Sequence, residues 1–191
     1  METKPEAKSD IRRQMRALRK AVSADERRRQ SMAVCEKLAA DDAVAACAEI
    51  AGGRAAVAVY LASPDEIDLS PFIREMLRRG VKVAAPRWNG ETYELAKLAG
   101  LGEGDLRRGP MNILEPAQPD VVPPSQVAVW IVPGLAFAPD GRRIGYGGGW
   151  YDRLLSGASA QSVKIGVAYD FQVVPDIPLE RHDVPLDRVI A

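Results

Sequence analysis

The 191-residue chain predicts an α/β fold, a three-layer αβα sandwich around a largely parallel sheet in a single domain. Three observations carry that expectation. Short apolar runs suited to buried strands alternate with helix-period stretches from residue 55 to the end of the chain. No internal repeat, low-complexity tract or charged linker divides the sequence. A chain of this length can bury about 70% of its extended surface, enough for one good core.

The elements follow in order. Ile11, Met15 and Leu18 form one apolar stripe of a helix over residues 8–21, and Lys8 and Arg12 are neighbours four apart on it. Ser23 and Glu26 fit a capping box opening a second helix, expected to reach about Ile50 with a break or two before Gly52 and Gly53 stop it. Residues 55–60 read as a buried strand, 61–68 as a loop, and Ser70-Pro71 as a helix start with Gly80 at its end. Strands are expected at 81–86 and, on an edge, at 92–97. The Gly- and Pro-rich stretch 99–125 reads as a long ordered loop or a set of turns. Val127–Val132 is the most strand-like run, a short helix starts at Trp150, and strands close the chain at 163–168 and 186–190.

Basic and acidic residues number 26 each, so the net charge is zero, which argues against coating nucleic acid or anionic membrane. The balance conceals an uneven distribution. Residues 1–30 hold ten basic and five acidic side chains, a charge of +5, and the remaining sixteen and twenty-one give −5. Such an arm is either a solvated helix face or a phosphate-facing helix. A nucleic-acid role for it lacks interleaved aromatics, and a salt-sensitive gel shift would revive that role. No 18-residue apolar run is present for a membrane span. The N-terminal stretch lacks the apolar segment of a secretory signal, and its slight likeness to a basic transit peptide is weakened by Glu2, Glu6 and Asp10. Cys35 and Cys47 lack metal-ligand spacing, so a cytoplasmic protein with two free thiols is expected.

In open α/β sheets ligands collect beyond the carboxyl ends of the strands, here the segments after Tyr60, Val132 and Ala168. The second carries the strongest signal. Gly145, Gly147, Gly148 and Gly149 lead into the helix at Trp150, so successive N–H groups can form an anion nest beside a helix N-terminus. Arg142 and Arg143 can supply guanidinium contacts to phosphate, and Asp152 can cap the helix or ligate magnesium. The block is neither a Walker A loop, lacking Gly-Lys-Ser/Thr, nor a dinucleotide fingerprint, since Trp150 stands where its last glycine belongs. After Tyr60, the carboxylates Asp65, Glu66 and Asp68 are either helix caps or partners of a substrate amide or amino group. His182, the only histidine, reads as a surface residue, and Asp183 beside it is a candidate second magnesium carboxylate.

These residues resemble the 5-formyltetrahydrofolate cyclo-ligase (methenyltetrahydrofolate synthetase) family over nearly the whole chain and in order. The likeness runs through Lys8, Ile11 and Arg12, then Tyr60 with Asp65, Glu66 and Asp68, then Ala84-Ala85-Pro86-Arg87. It continues through Asn112, Ile113, Glu115 and Pro116, the run Val132–Phe137, the glycine block from Gly141 to Asp152, and His182-Asp183. The glycine block is close to diagnostic.

The resemblance implies an enzyme that uses ATP and Mg²⁺ to convert 5-formyltetrahydrofolate, with or without a polyglutamate tail, to 5,10-methenyltetrahydrofolate, ADP and phosphate. It implies ATP contacts at Lys8 and Arg12, and along the loop at Arg143, Ile144, Gly145, Tyr146, Gly147, Gly148, Gly149, Trp150 and Tyr151. Arg143 and Tyr151 take the catalytic positions, and Asp152 and Asp183 those of the magnesium ligands. Leu61, Glu66, Tyr146, Gly149 and Trp150 fall on the folate side. Two positions depart from the family pattern: Trp150-Tyr151 replaces a common Tyr-Tyr, and Met111 stands where an aromatic often precedes Asn112. A soluble, monomeric, cytoplasmic enzyme with no nucleic-acid or membrane partner is the expectation. The alternative is a non-catalytic nucleotide- or folate-binding regulator of the same fold, which a phosphate-release assay would distinguish.

Overall fold

The structure, a computed structural model, describes residues 4–49, 55–178, 180 and 183–191. Six strands form the central sheet in the order β10-β9-β6-β1-β2-β3. These are Arg188–Ile190, Val163–Val167, Val127–Val132, Ala56–Ala58, Lys82–Trp88 and Tyr93–Lys97 respectively. All neighbours are parallel except β3, which returns antiparallel on β2 as the edge strand.

Alternation along the strands builds both faces. Val57, Val83, Val129, Ile131, Ile165 and Val167 point to one side and pack beneath three helices, α2 (Ala24–Ala39), α3 (Asp42–Glu49) and α4 (Ser70–Arg78). Ala56, Ala58, Ala84, Trp130 and Val132 point to the other, beneath α5 (Trp150–Leu155). Burial on both faces is what makes the parallel strands read as unbroken apolar runs. A register shift opposite Ala56 and Val57 lets Val127 and Val129, two residues apart, both partner β1.

Several elements differ from expectation. The second helix stops at Ala39; Asp41 then restarts the chain by accepting the Ala43 N–H at 3.0 Å while binding the Arg188 guanidinium at 2.9 Å. The expected stop near Ile50, Gly52 and Gly53 lies outside the described residues. Only half of the capping box forms: Ser23 Oγ accepts the Glu26 N–H at 3.2 Å, whereas the Glu26 carboxylate turns to Arg29 and Gln30. The strand at 55–60 is short, Ala56–Ala58, although Val59 and Tyr60 remain buried. Within 99–125 lies a hairpin of β4 (Leu106–Arg108) and β5 (Leu114–Pro116). A second small hairpin pairs β7 (Ala136–Phe137) with β8 (Arg143–Ile144). Cys35 and Cys47 are free and buried, and burial pushes the Cys35 thiol up to about 11. No helix among the described residues is long and apolar enough to cross a membrane.

Helix α1 (Lys4–Ala21) docks in an unexpected way. Met15 is buried and Ile11 packs beside it, against Leu135, Ala136 and Ile144 of the β7–β8 hairpin, but Leu18 is 40% exposed. The side chains turned inward are instead Lys8, Met15 and Arg19, with Arg12 half-buried between them.

Gly141 ties the β7–β8 turn to the C-terminal segment through the Leu186 N–H, which donates to its carbonyl at 2.9 Å. Its φ is +87°, and a Cβ there would lie 1.9 Å from the Leu186 carbonyl oxygen. Gly141→Ala is therefore expected to cost about 1–3 kcal/mol, read as a lower midpoint in urea unfolding. A midpoint equal to wild type would show that this contact yields freely.

Candidate active site

A cleft of about 930 Å³ opens beyond the carboxyl ends of β1, β2 and β6, where Tyr60, Leu61, Pro86 and Pro133 line it. Strand β1 lies between β2 and β6, so the chain reverses its direction of winding at this point, the place where open α/β sheets hold ligands.

The glycine loop forms one wall. β8 delivers Arg143 into the cleft, and Gly149, with φ +65°, turns the chain into α5. A Cβ at Gly148 would meet the Trp150 indole at 2.7 Å, so the absence of a side chain at residue 148 makes room for that ring. Arg143 is 7% exposed; its Nη2 donates to Asp152 Oδ1 at 2.9 Å and its Nη1 to the Pro133 carbonyl at 3.3 Å. Arg143 Nε and the Tyr151 hydroxyl are buried without a hydrogen-bond partner among the described residues. Burial, and then the negative charge of Glu66, push the Tyr151 hydroxyl well above its ordinary value, so it stays protonated.

Helix α1 forms the facing wall through its basic stripe. Lys8 Nζ sits 2.7 Å from Asp183 Oδ2 and 3.3 Å from Glu180 Oε2. Arg12 Nε donates to the Gly145 carbonyl at 3.0 Å, and Arg16 Nη2 to that of Tyr146 at 3.2 Å. Arg19, 2% exposed, pairs with Asp65 Oδ1 at 2.8 Å and donates to the Tyr146 hydroxyl, which in turn donates to Glu66 Oε1. Burial alone would weaken the Arg19 charge, but Tyr146, Glu66 and Asp65 outweigh it and raise its pKa. Tyr146 leaves 42% of its surface exposed while its hydroxyl is enclosed, and burial with Glu66 beside it holds the phenol protonated. Glu66 is further fixed by the Ser63 N–H, which donates to Oε2 at 2.8 Å.

The remaining wall is aromatic and apolar. Trp88, Tyr93 and Trp150 pack edge to face with ring centroids 5.2–5.5 Å apart. Arg153 lies over Trp150 at 4.1 Å. Met111, 76% exposed, hangs at the rim from a turn in which Met111 and Asn112 have φ of +56° and +62°.

The cleft thus gathers Lys8, Arg12, Leu61, Glu66, Arg143 to Asp152, and Asp183. Arg142 turns away to Asp140 and Asp176, each at 2.7 Å, because successive residues of an extended segment face opposite sides. Asp65 pairs with Arg19, and Asp68, just ahead of α4, accepts the Ser70 N–H at 2.9 Å, so both serve the fold, Asp68 close to the helix-start role that was one of the two expected of these carboxylates. Of the segment after Ala168, Tyr169–Gln172 do not line the cleft, the Gln172 amide instead holding the carbonyls of Gly134 and Leu135 at 2.9 and 2.8 Å, whereas Glu180 and Asp183 further on do line it. His182 lies outside the described residues. Arg16, Arg19, Tyr93 and Arg153 belong to the site although the sequence motifs do not include them. For the arginines of α1 the signal was available: Lys8, Arg12, Arg16 and Arg19 recur at intervals of four, four and three.

Residues 4–191 match the model of the 5-formyltetrahydrofolate cyclo-ligase family. The 5-formyltetrahydrofolate cyclo-ligase of Escherichia coli K12 is 34% identical over 141 residues, 71% of this chain and 76% of that protein. The Mus musculus enzyme of the same name is 28% identical over 195 residues, 96% of this chain and 93% of its own. The NMR structure of Aquifex aeolicus 5,10-methenyltetrahydrofolate synthetase superposes with a TM-score of 0.81 at 32% identity, covering 95% of this chain and 88% of that one. The fold agrees with these matches, and the chain belongs to the 5-formyltetrahydrofolate cyclo-ligase family of enzymes.

Proposed function

We propose that this chain, acting as one domain with residues 1–22 completing its nucleotide site, converts 5-formyltetrahydrofolate and ATP to 5,10-methenyltetrahydrofolate, ADP and phosphate. The supporting observation is one cleft that brings together a cationic, glycine-lined wall, an aromatic wall and the fixed Glu66 carboxylate. Triphosphate suits the cationic wall, and a flat heterocycle with N–H groups suits the aromatic wall and the carboxylate. On this reading Lys8, Arg12 and the N–H groups from Ile144 to Tyr151 hold the phosphates. Leu61, Glu66, Tyr146, Gly149 and Trp150 hold the folate. Glu66, with both oxygens already oriented by Tyr146 and Ser63, keeps lone pairs for a pterin N–H.

The chemistry needs little from side-chain bases. A lone pair of the formyl oxygen attacks the γ-phosphorus, and the bond to the bridging oxygen breaks to release ADP. A second folate nitrogen then attacks the formyl carbon. The C–O bond breaks with its electron pair, phosphate leaves with the oxygen, and the N–H proton departs with it. Arg143 neutralises charge on the phosphoryl group in flight, and the protonated Tyr151 hydroxyl is a donor without a competing partner.

Magnesium fits the donor set. Among the described residues no cluster of three or more metal-ligating side chains forms, but Mg²⁺ is usually held by one or two carboxylates plus substrate phosphates. Asp152 and Asp183 both line the cleft, and the contacts of Asp152 from Arg143 and the Val184 N–H both fall on Oδ1. When bound, the ion neutralises phosphate charge. Asp152→Asn is expected to raise the Mg²⁺ concentration for half-maximal rate by about tenfold or more, and an unchanged Mg²⁺ dependence would remove Asp152 from this role.

The test of the reaction is the absorbance of the methenyl product with 5-formyltetrahydrofolate, Mg²⁺ and ATP, and then without ATP. Product with stoichiometric phosphate only when ATP is present is expected. No product with all three components would overturn the reading.

A further inference from the structure

The glycine loop has two chemically distinct edges. Arg12 Nε takes the Gly145 carbonyl at 3.0 Å, Arg16 Nη2 that of Tyr146 at 3.2 Å, and Arg153 Nη2 that of Gly148 at 2.7 Å. Guanidinium groups from two helices therefore hold three loop carbonyls. The N–H groups of Gly145 through Gly149 make no hydrogen bond among the described residues. Backbone donors in folded proteins are almost always satisfied, so consecutive open donors along a cleft mark a place for an acceptor.

The two edges are mechanically linked. A trans peptide is planar, so its C=O and the following N–H point in opposite directions. A carbonyl held by a guanidinium fixes where the next N–H is aimed. Arg16 thereby sets the N–H of Gly147, and Arg153 that of Gly149. Both glycines have positive φ, +107° and +65°, and lack the Cβ that would restrict them. Left to itself such a loop would sample many orientations, and each would have to be lost again on binding. Arg153 is restrained in turn by its stacking on Trp150 at 4.1 Å.

We propose that Arg16 and Arg153 are positioning residues that aim the Gly147 and Gly149 amides at the nucleotide phosphates by capturing the preceding carbonyls. The proposal rests on the nucleotide reading of the loop given above. Arg12 has the same geometry toward the Tyr146 N–H, but it is itself assigned to phosphate, so the other two carry the test.

The test is an NMR titration of the full-length protein, labelled with ¹⁵N-glycine, with ADP and Mg²⁺. In wild type the Gly147 and Gly149 amide protons should move downfield and exchange more slowly. Arg153→Met should abolish the Gly149 response and keep that of Gly147, and Arg16→Met should do the reverse. Each should weaken ADP binding about tenfold. Arg153→Lys, which retains a donor, should recover part of the Gly149 response and serves if the Met variant fails to fold. Retention of both responses in the folded variants overturns the proposal. So does joint loss of both in either one, because that would show an effect on the loop as a whole. A wild-type protein whose loop glycines ignore ADP overturns the nucleotide reading instead.

Discussion

Replacing Arg143 by alanine is expected to lower kcat/KM for ATP by about 10²–10³-fold while the chain still folds. Residue 143 lies in the two-residue strand β8, whose partner β7 buries Ala136 and Phe137, so the backbone that carries the guanidinium is anchored. The guanidinium is nearly enclosed, held by Asp152 and the Pro133 carbonyl, and retains a buried Nε with no partner among the described residues. A nearly enclosed cation already held in place gains most when negative charge develops beside it. The stability cost is smaller, about 1–2 kcal/mol, because the Asp152 side chain is 20% exposed and water can replace the lost partner. Arg143→Lys should recover little, since a compact ammonium lacks the planar fork that spans Asp152, Pro133 and a phosphoryl oxygen. Lys8→Ala, which leaves Asp183 and Glu180 facing the nucleotide with less compensation, should raise KM for ATP more than it lowers kcat. Steady-state kinetics over ATP concentration check both. An Arg143→Ala enzyme within threefold of wild type would remove that residue from catalysis.

Much of the fold is legible in the residues, and the reasons are local. Val127–Val132 and Trp150–Leu155 match expectation because six apolar residues bounded by Pro133-Gly134 suit only a doubly buried strand, and a glycine run ahead of an aromatic-acidic turn marks a helix start. The hairpins β4–β5 and β7–β8 are invisible, since two or three residues cannot display a period and their Pro and Gly neighbours resemble loops. The site divides in the same way. Carboxylates and glycines beyond strand ends follow from the topology rule, but which of Arg142 and Arg143 faces inward depends on the pleat of β8. That alternation needs only two consecutive residues, so it could have been anticipated had the strand been recognised. Arg19 is the deeper omission. Apolar periodicity selects Ile11, Met15 and Leu18 as the buried stripe, whereas the helix docks on Met15 with Ile11 beside it and buries Lys8 and Arg19, leaving Leu18 exposed. Counting apolar residues misplaces a helix whose partners are carboxylates contributed by residues 65, 66 and 183.

Arg19→Ala is the substitution with the largest expected effect on stability, about 3 kcal/mol, from removing one member of a buried charge cluster. The apolar contribution to the docking of α1 is modest: Met15, with Ile11 beside it, against a few residues of the β7–β8 hairpin. Arg19 joins that helix to Asp65 and, through Tyr146, to Glu66, so its loss leaves two carboxylates close together with no cation between them. The value sits at the lower end for buried pairs because the Asp65 side chain keeps 29% of its exposure. Asp65→Asn should restore part of the loss in the Arg19→Ala background, giving a coupling of about 1–2 kcal/mol in a double-mutant cycle. The acid limb provides an independent check. Burial pushes the Asp65 carboxyl up, but Arg19 outweighs it, and the net pKa lies below the ordinary 3.8. A depressed carboxylate contributes stability that is complete above its unfolded value and disappears as pH falls through the folded one, so wild type should lose this contribution only below about pH 4. Arg19→Ala should have already lost it at neutral pH, and its acid limb should be flatter by that amount. Because α1 also carries Lys8 and Arg12, the same variant should bind ADP more weakly and expose residues 4–21 to protease without global unfolding. Unaltered urea stability together with wild-type protection of α1 would mean that the helix is held by Met15 and its neighbours rather than by charge.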